Sequence, residues 1–351
     1  VRPLSDAALA HLREAADWPD LSGTRYEVRR LVGRGGMGAV YLVHDRELDR
    51  EVALKVLSAP EAGPDAAARM LREARIIARL EHPGIVPVHD VGVLPDGRAF
   101  YAMKLVSGSR LDGIAARRPP LPELLRVFVR ICEAVAFAHA HGVVHRDLKP
   151  ENVMVGAFGE VLVMDWGVAK WRGSAETAEG GAADTSRDTG HGTILGTPGY
   201  MAPEQARGEA AAADERADVY SLGAILHYLL VGSPPARDPF PGTTAATRTW
   251  PARAPPGAGQ ARAEPRTRSD VPRPLEAVSL KALAVDATGR YESVADLAAD
   301  VSRFLDGQPV SAYREGIVER AGRLARKYRT PLLLVLAYLV MRTVLIFVGG
   351  M

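Results

Sequence analysis

Apolar and polar residues alternate along this chain with two different periods, and the change falls between Lys104 and Gly108. From Ala39 to Asp45, Val40 and Leu42 stand two positions apart, and Glu51–Leu57 repeats the alternation, so the pattern predicts two neighbouring strands. Over Asp65–Leu80 the period lengthens, with Met70, Ala74 and Ile77 at helical spacing, which predicts a helix with one face on the sheet. Past residue 108 helical spacing takes over. Leu124, Phe128, Ile131 and Val135 form one stripe, Leu275–Leu283 predicts another helix, and Val294, Leu297, Val301 and Phe304 line a third. Ser293 and Asp296 open that last helix in the manner of a capping box. The expected fold class is α+β: a small strand-rich lobe with one helix over residues 26–103, and a larger, mainly helical lobe over 108–305.

Other stretches break both periods. Residues 1–25 form an appended segment, with Ser5 as N-cap of a short helix, and lack the charge and apolar order of a cleaved signal peptide. Gly173–Thr193 and Ser233–Arg273 hold too few apolar residues to enter a core. Residues 306–330 are basic, with Arg320, Arg323, Arg326, Lys327 and Arg329 leading into the apolar run Pro331–Val348. That run barely reaches the length needed to span a bilayer, and Arg342 within it costs about 2.5–3.5 kcal/mol on insertion scales. A single-pass helix over 331–348, with the preceding domain kept in the cytoplasm by the positive flank, is the expectation. An interfacial anchor or a docking helix are the alternatives.

Charge changes the picture little. The 351 residues carry 44 Lys and Arg against 42 Asp and Glu, a net +2, so no field calls for nucleic acid. Cys132 is the one cysteine and sits in the Leu124–Val135 stripe, which predicts a buried, inert thiol. His139, His141 and His145 cluster without a cysteine or a second ligand group, and no structural zinc site is expected.

The candidate chemistry lies in five short motifs. Gly33-Arg34-Gly35-Gly36-Met37-Gly38-Ala39-Val40 has the G-x-G-x-x-G-x-V spacing that lets backbone approach phosphate oxygens closely. A dinucleotide-binding turn shares those glycines but needs a helix directly after them, where this chain has strand alternation. Val52-Ala53-Leu54-Lys55 puts an ammonium on an apolar strand, where it needs a partner, and Glu73 on the predicted helix is the candidate. His145-Arg146-Asp147-Leu148-Lys149-Pro150-Glu151-Asn152 sets a base, a cation and a metal-binding amide at fixed offsets. Asp165-Trp166-Gly167 follows the apolar run Val161–Met164, and Ala202-Pro203-Glu204 closes the segment after it.

In this order and at these separations the motifs resemble those of the bacterial eukaryotic-like (Hanks-type) serine/threonine protein kinases. The resemblance runs from about Tyr26 to Leu305 and implies a bilobal protein-kinase-like fold acting on ATP and protein substrates. It implies that Gly33, Arg34, Gly35, Gly36, Met37 and Gly38 cover the phosphates, with Val40, Ala53, the gatekeeper Met103, and hinge residues Leu105 and Val106 around the base. Lys55, paired with Glu73, would contact the α and β phosphates, and Asn152 and Asp165 would hold magnesium, with manganese as a substitute. Asp147 would receive the hydroxyl proton and Lys149 would meet the phosphoryl charge. Asp218 would brace the catalytic loop, and Arg290 would pair with Glu204. Lys149 and Thr197 suit serine/threonine specificity. Thr185, Ser186, Thr189 and Thr193 would be open to phosphorylation, by a second copy of the chain in a homodimer, with Arg146 as counter-charge. Trp166 stands where the family has phenylalanine, and the long 233–273 loop lacks the family's docking helix. Those two departures keep a pseudokinase, a nucleotide-binding or scaffolding module, as the alternative; a dinucleotide-dependent oxidoreductase is the third class.

Overall fold

The computed structural model describes residues 18–35, 38–57, 63–166, 170–171, 199–207, 214–235, 271–321, 334–335 and 337–343. The small lobe is an antiparallel sheet of β1 (Tyr26–Gly35), β2 (Gly38–Asp45), β3 (Arg50–Leu57), β4 (Val88–Val93) and β5 (Ala99–Lys104), in the order β1-β2-β3-β5-β4. Helix α1 (Gly63–Ala78) lies on one face, where Met70, Ala74 and Ile77 are buried. Trp18 and Leu21 pack with Tyr26, Tyr41, Leu54 and Phe100 in a second cluster within the same lobe. The strand register sets Lys55 opposite Val40 on β2 and Tyr101 on β5, and Ala53 opposite Met103.

After β6 (Gly108–Arg110) come α2 (Leu111–Ala116), α3 (Leu121–Ala140), β7 (Val143–Val144), a 3-10 turn (Pro150–Asn152), β8 (Val153–Gly156), β9 (Val161–Val163) and β10 (Lys170–Trp171). The helices α4 (Pro203–Ala206), α5 (Glu215–Val231), α6 (Arg273–Ala282) and α7 (Val294–Leu305) complete the large lobe. Leu124, Phe128, Ile131, Cys132 and Val135 of α3 are fully or almost fully buried, and truncating Phe128 to alanine would cost about 3–5 kcal/mol. Helix α5 is apolar around most of its circumference and runs through the lobe interior; Asp214 caps its first turn, and Gly232, at φ 89°, ends it. A Cβ at Gly223 would lie 2.6 Å from the Ala282 Cβ, so α5 and α6 touch there at backbone range.

The fold does not stop at α7. Asp300, fully buried on that helix, accepts from Ser311 N (2.8 Å), Ser311 Oγ (2.7 Å), Ala312 N (3.1 Å), Tyr291 Oη (2.9 Å) and Arg303 (2.8 Å). This clasp seats Val310, Ala312 and Tyr313 on the large-lobe core. Among the described residues no helix is long and apolar enough to cross a membrane. Most of the expected 331–348 span lies outside the described residues; in the part within them, Leu334, Val335, Tyr338, Leu339, Val340 and Met341 are exposed. The expected helix from Ser5 and the stretch 173–193 also lie outside the described residues.

Candidate active site

Lys55 projects from β3 at the junction of the lobes. Its Nζ lies 2.9 Å from Glu73 Oε1 on α1 and 3.4 Å from Asp165 Oδ1 just past β9. Glu73 is 3 % exposed, and a carboxylate so deep in protein needs compensation, which the ammonium and the Tyr101 hydroxyl (2.8 Å) supply together. Burial works against the Lys55 charge, but Tyr101, Glu73 and Asp165 outweigh it, and the lysine pKa lies above its ordinary value.

The catalytic-loop motif folds around Asp147. Lys149 Nζ is 2.8 Å from Asp147 Oδ2, and Asn152 Nδ2 donates to the Asp147 carbonyl (2.9 Å) and, at 3.4 Å, to its carboxylate. Strands β8 and β9 then bring the metal-ligand candidates to one end of a hairpin. Val153 pairs with Val163, and Met164 N donates to the Asn152 carbonyl at 2.8 Å, so Asn152 just before β8 and Asp165 just after β9 are neighbours across the ladder. Lys55 therefore reaches Asp165, and Asp165 stands beside the Asn152–Asp147–Lys149 group. A carboxylate and an amide oxygen suit a hard divalent cation such as magnesium, which prefers oxygen ligands and retains water. Asp165 and Arg146 both hold positive φ, 61° and 71°, uncommon for non-glycine residues and costing about 1 kcal/mol or more each.

What holds that backbone is a buried polar frame. Asp218 on α5 has no exposure and accepts from the backbone N–H groups of His145 and Arg146 and from His139 Nε2, each at 2.8 Å. Burial would raise its pKa, but the hydrogen bond and electrostatic pull of His139, with those of His145 and the Arg146 N–H, leave it below the usual carboxylate value. His145 accepts the Asp147 N–H at Nδ1 (3.3 Å), so its Nε2 carries the proton and donates to the Met164 carbonyl (3.1 Å). Trp166 is fully buried with its ring centroid 4.5 Å from that of His145, and its indole N–H donates to the Val163 carbonyl at 3.3 Å. The bulkier ring thus fits beneath the loop, with Asp165 still directed at Lys55.

Arg290 grips both oxygens of Glu204 on α4 (2.7 and 2.8 Å), and burial is overcome by this fork in keeping the Glu204 pKa low. Gln205, which the motifs did not single out, donates to the Arg146 carbonyl (2.9 Å) and accepts from Ala202 N (3.2 Å), tying α4 to the catalytic loop. Its position beside Glu204 was the one sequence signal available. Tyr101 was likewise missed, and His139 was weighed only as a zinc ligand, since a tyrosine in a strand and a histidine in a helix carry no motif.

Of the residues expected around the nucleotide, Val40, Ala53, Met103, Leu105 and Val106 share one apolar cluster along the inner edge of the sheet and the connection out of β5. Gly33, Arg34 and Gly35 end β1, and Gly38 begins β2, where a Cβ would collide with the Val56 carbonyl. Gly36, Met37, Gly167, Thr197 and the four candidate phosphosites lie outside the described residues.

The comparisons with known proteins agree with this geometry. The family profile described as a protein kinase domain matches residues 26–291. Serine/threonine-protein kinase PknD of Protochlamydia amoebophila is 36% identical over 309 residues, 81% of this chain and 30% of that protein. Serine/threonine-protein kinase PknB of Mycolicibacterium smegmatis is 38% identical over 301 residues, 84% of this chain and 45% of that one. The chain spans less than half the length of these relatives. A crystal structure of the Mycobacterium tuberculosis PknI kinase domain superposes with a TM-score of 0.56 at 29% identity, covering 80% of this chain and 96% of that domain. With its family match, its bilobal α+β fold and its similarity to these serine/threonine kinases, the chain belongs to the protein kinase family.

Proposed function

We propose that the chain is a protein serine/threonine kinase that transfers the γ-phosphoryl group of ATP to protein hydroxyls with magnesium, and that it autophosphorylates in bacterial signalling. The observation that carries this is the meeting of Lys55, Glu73 and Asp165 with Asp147, Lys149 and Asn152 at one lobe junction. Metal-bound nucleotide supplies the phosphoryl group and neutralises part of its charge. The chain's own residues do the rest. Glu73 and Tyr101 hold Lys55 charged toward the phosphates, Asn152 and Asp165 offer oxygens to the metal, and Asp147 orients the acceptor hydroxyl and takes its proton. Lys149, already against Asp147, offsets developing charge. The pseudokinase alternative leaned on Trp166 and the 233–273 loop; Trp166 packs inward, and the presence of Lys55, Glu73, Asp147, Lys149, Asn152 and Asp165 in the sequence favours transfer.

The same reading assigns residues 1–25 to an appended segment, 26–305 to the catalytic domain with 306–313 clasped onto it, the rest of the basic 306–330 stretch to a connector, and 331–348 to a membrane anchor with the kinase on the cytoplasmic side. Exposed apolar residues at 334–341 behind a basic flank support the anchor. Purified protein with labelled ATP and magnesium, beside Asp147→Asn, tests the activity. Label on the wild type alone supports the proposal, and label on neither refutes it. Recovery of the full chain in the membrane fraction after carbonate washing tests the anchor.

A further inference from the structure

The Tyr101 hydroxyl does more than offset the Glu73 charge, because it ties together two elements whose contact decides whether a nucleotide site is assembled. Lys55 on β3 and Tyr101 on β5 are partners across the antiparallel ladder, so the register turns both toward the side that Met70, Ala74 and Ile77 of α1 cover. The Lys55 ammonium lies 5.5 Å from the centre of the tyrosine ring, within cation–π range. Glu73 on α1 takes both donors on one oxygen, Lys55 Nζ at 2.9 Å and Tyr101 Oη at 2.8 Å. Tyr101 is 2 % and Glu73 3 % exposed, so water has little access to the bond between them. Burial raises the Tyr101 pKa, Lys55 pulls it back and Glu73 raises it again, which leaves the phenol protonated and donating.

Assembly of the lysine–glutamate pair depends on the helix that carries the glutamate, and in protein kinases phosphorylation of the activation segment commonly controls that helix. Here an outward movement of α1 would take the acceptor from a buried phenol as well as the counter-charge from an ammonium. Asp165, 3.4 Å from Lys55, would still serve the ammonium. The phenol would be left bare, which disfavours the open state. None of Lys55, Glu73 and Tyr101 belongs to the segment between Asp165 and Glu204.

We propose that Tyr101 is a positioning residue that locks α1 inward, so that the ATP site of this chain is assembled before any phosphorylation of it. The inference rests on the kinase reading and deepens it, by assigning nucleotide-site assembly to a hydroxyl of the sheet and not to a phosphate on the activation segment. A hydrogen bond to a charged group, at its usual strength, changes the closed-to-open ratio of α1 by about ten- to a hundredfold.

The test uses the full chain freed of phosphate by a phosphatase, with intact mass as the check. Steady-state rates on a serine peptide then give KM for ATP and kcat separately. Wild type should keep its KM for ATP within about threefold before and after incubation with ATP and magnesium. Tyr101→Phe keeps the ring and loses only the hydroxyl, and its phosphate-free form should show a KM for ATP at least about threefold higher, with kcat at saturating ATP nearly unchanged. Hydrogen exchange without nucleotide reads the lock apart from turnover: backbone amides of residues 70–78 should exchange about tenfold faster in Tyr101→Phe than in wild type. Tyr26→Phe removes another 2.8 Å phenol–carboxylate bond of the same lobe, to Asp90, and should leave KM and that exchange at wild-type values. A wild-type KM for ATP that falls more than about threefold on autophosphorylation overturns the proposal. So does a Tyr101→Phe chain that matches wild type in KM or in exchange, or a Tyr26→Phe chain that loosens α1 as much. If wild type labels no peptide and no protein, the kinase reading fails, and the exchange comparison still decides whether Tyr101 holds α1.

Discussion

Replacing Asp218 with asparagine probes the frame beneath the catalytic loop. The carboxylate takes three 2.8 Å bonds, from His139 Nε2 and the N–H groups of His145 and Arg146, with no solvent to replace them. Hydrogen bonds to a charged group contribute about 1.5–3 kcal/mol each, and an asparagine of the same shape keeps an acceptor on one side while turning an N–H toward a donor on the other. The expected loss is about 2–4 kcal/mol, read as a lower urea midpoint with little change in slope. Because Arg146 is held at φ 71° by these bonds, the loop bearing Asp147 relaxes with them, and kcat should fall at least tenfold. KM for ATP should move little, since Lys55 and Glu73 stand on the other lobe. The pH dependence derives from the lowered Asp218 pKa: its contribution is complete above the unfolded-state value near 4 and is lost as pH falls through the folded one. The wild type should therefore shed stability in acid that the variant never had. A midpoint within about 0.5 kcal/mol of wild type, or a large rise in KM for ATP at constant kcat, would contradict this account of the frame.

Glu73→Gln leaves Lys55 with a weaker partner in a dry site, and kcat/KM for ATP should drop by about ten- to a hundredfold in a steady-state assay. Trp166→Phe keeps a ring against His145 but removes the bond to the Val163 carbonyl; thermal denaturation should register a loss of about 0.5–1.5 kcal/mol, with activity retained. Arg290→Lys cannot reproduce a fork that also reaches the carbonyls of Ala284 and Arg216, so about 2–4 kcal/mol should vanish from the chemical melt despite the conserved charge.

Much of this architecture could be read from residues alone, for physical reasons that differ by region. The small lobe was legible in part: Met70, Ala74 and Ile77 face the sheet, whereas β2 and β3 bury both faces, Val40 and Ala53 in one cluster and Tyr41, Val43 and Leu54 in the other, so alternation alone understates that core. The expected Asp65–Leu80 helix begins at Gly63 and ends at Ala78, a displacement of two residues at each end. Helix α5 was seen only through Asp218 and its neighbours, since a helix buried on nearly all sides has no stripe to read. The Lys55–Glu73 pair was legible because a charge on an apolar strand needs a partner, whereas the Arg290–Glu204 pair was expected from the family resemblance alone. Gln205 and Tyr101 escaped notice, and His139 was weighed only as a zinc ligand, because their partners are backbone carbonyls or residues far away in sequence, which no local pattern encodes.

The clasp at Asp300 bears on where this molecule can be shortened. A fragment trimmed at the profile's last matched residue, 291, discards α7, and one trimmed at Leu305 strips a solvent-free carboxylate of the serine and alanine donors that it holds. The smallest autonomous unit therefore extends through Tyr313, and truncations short of that point should aggregate or melt early for reasons unrelated to phosphoryl chemistry.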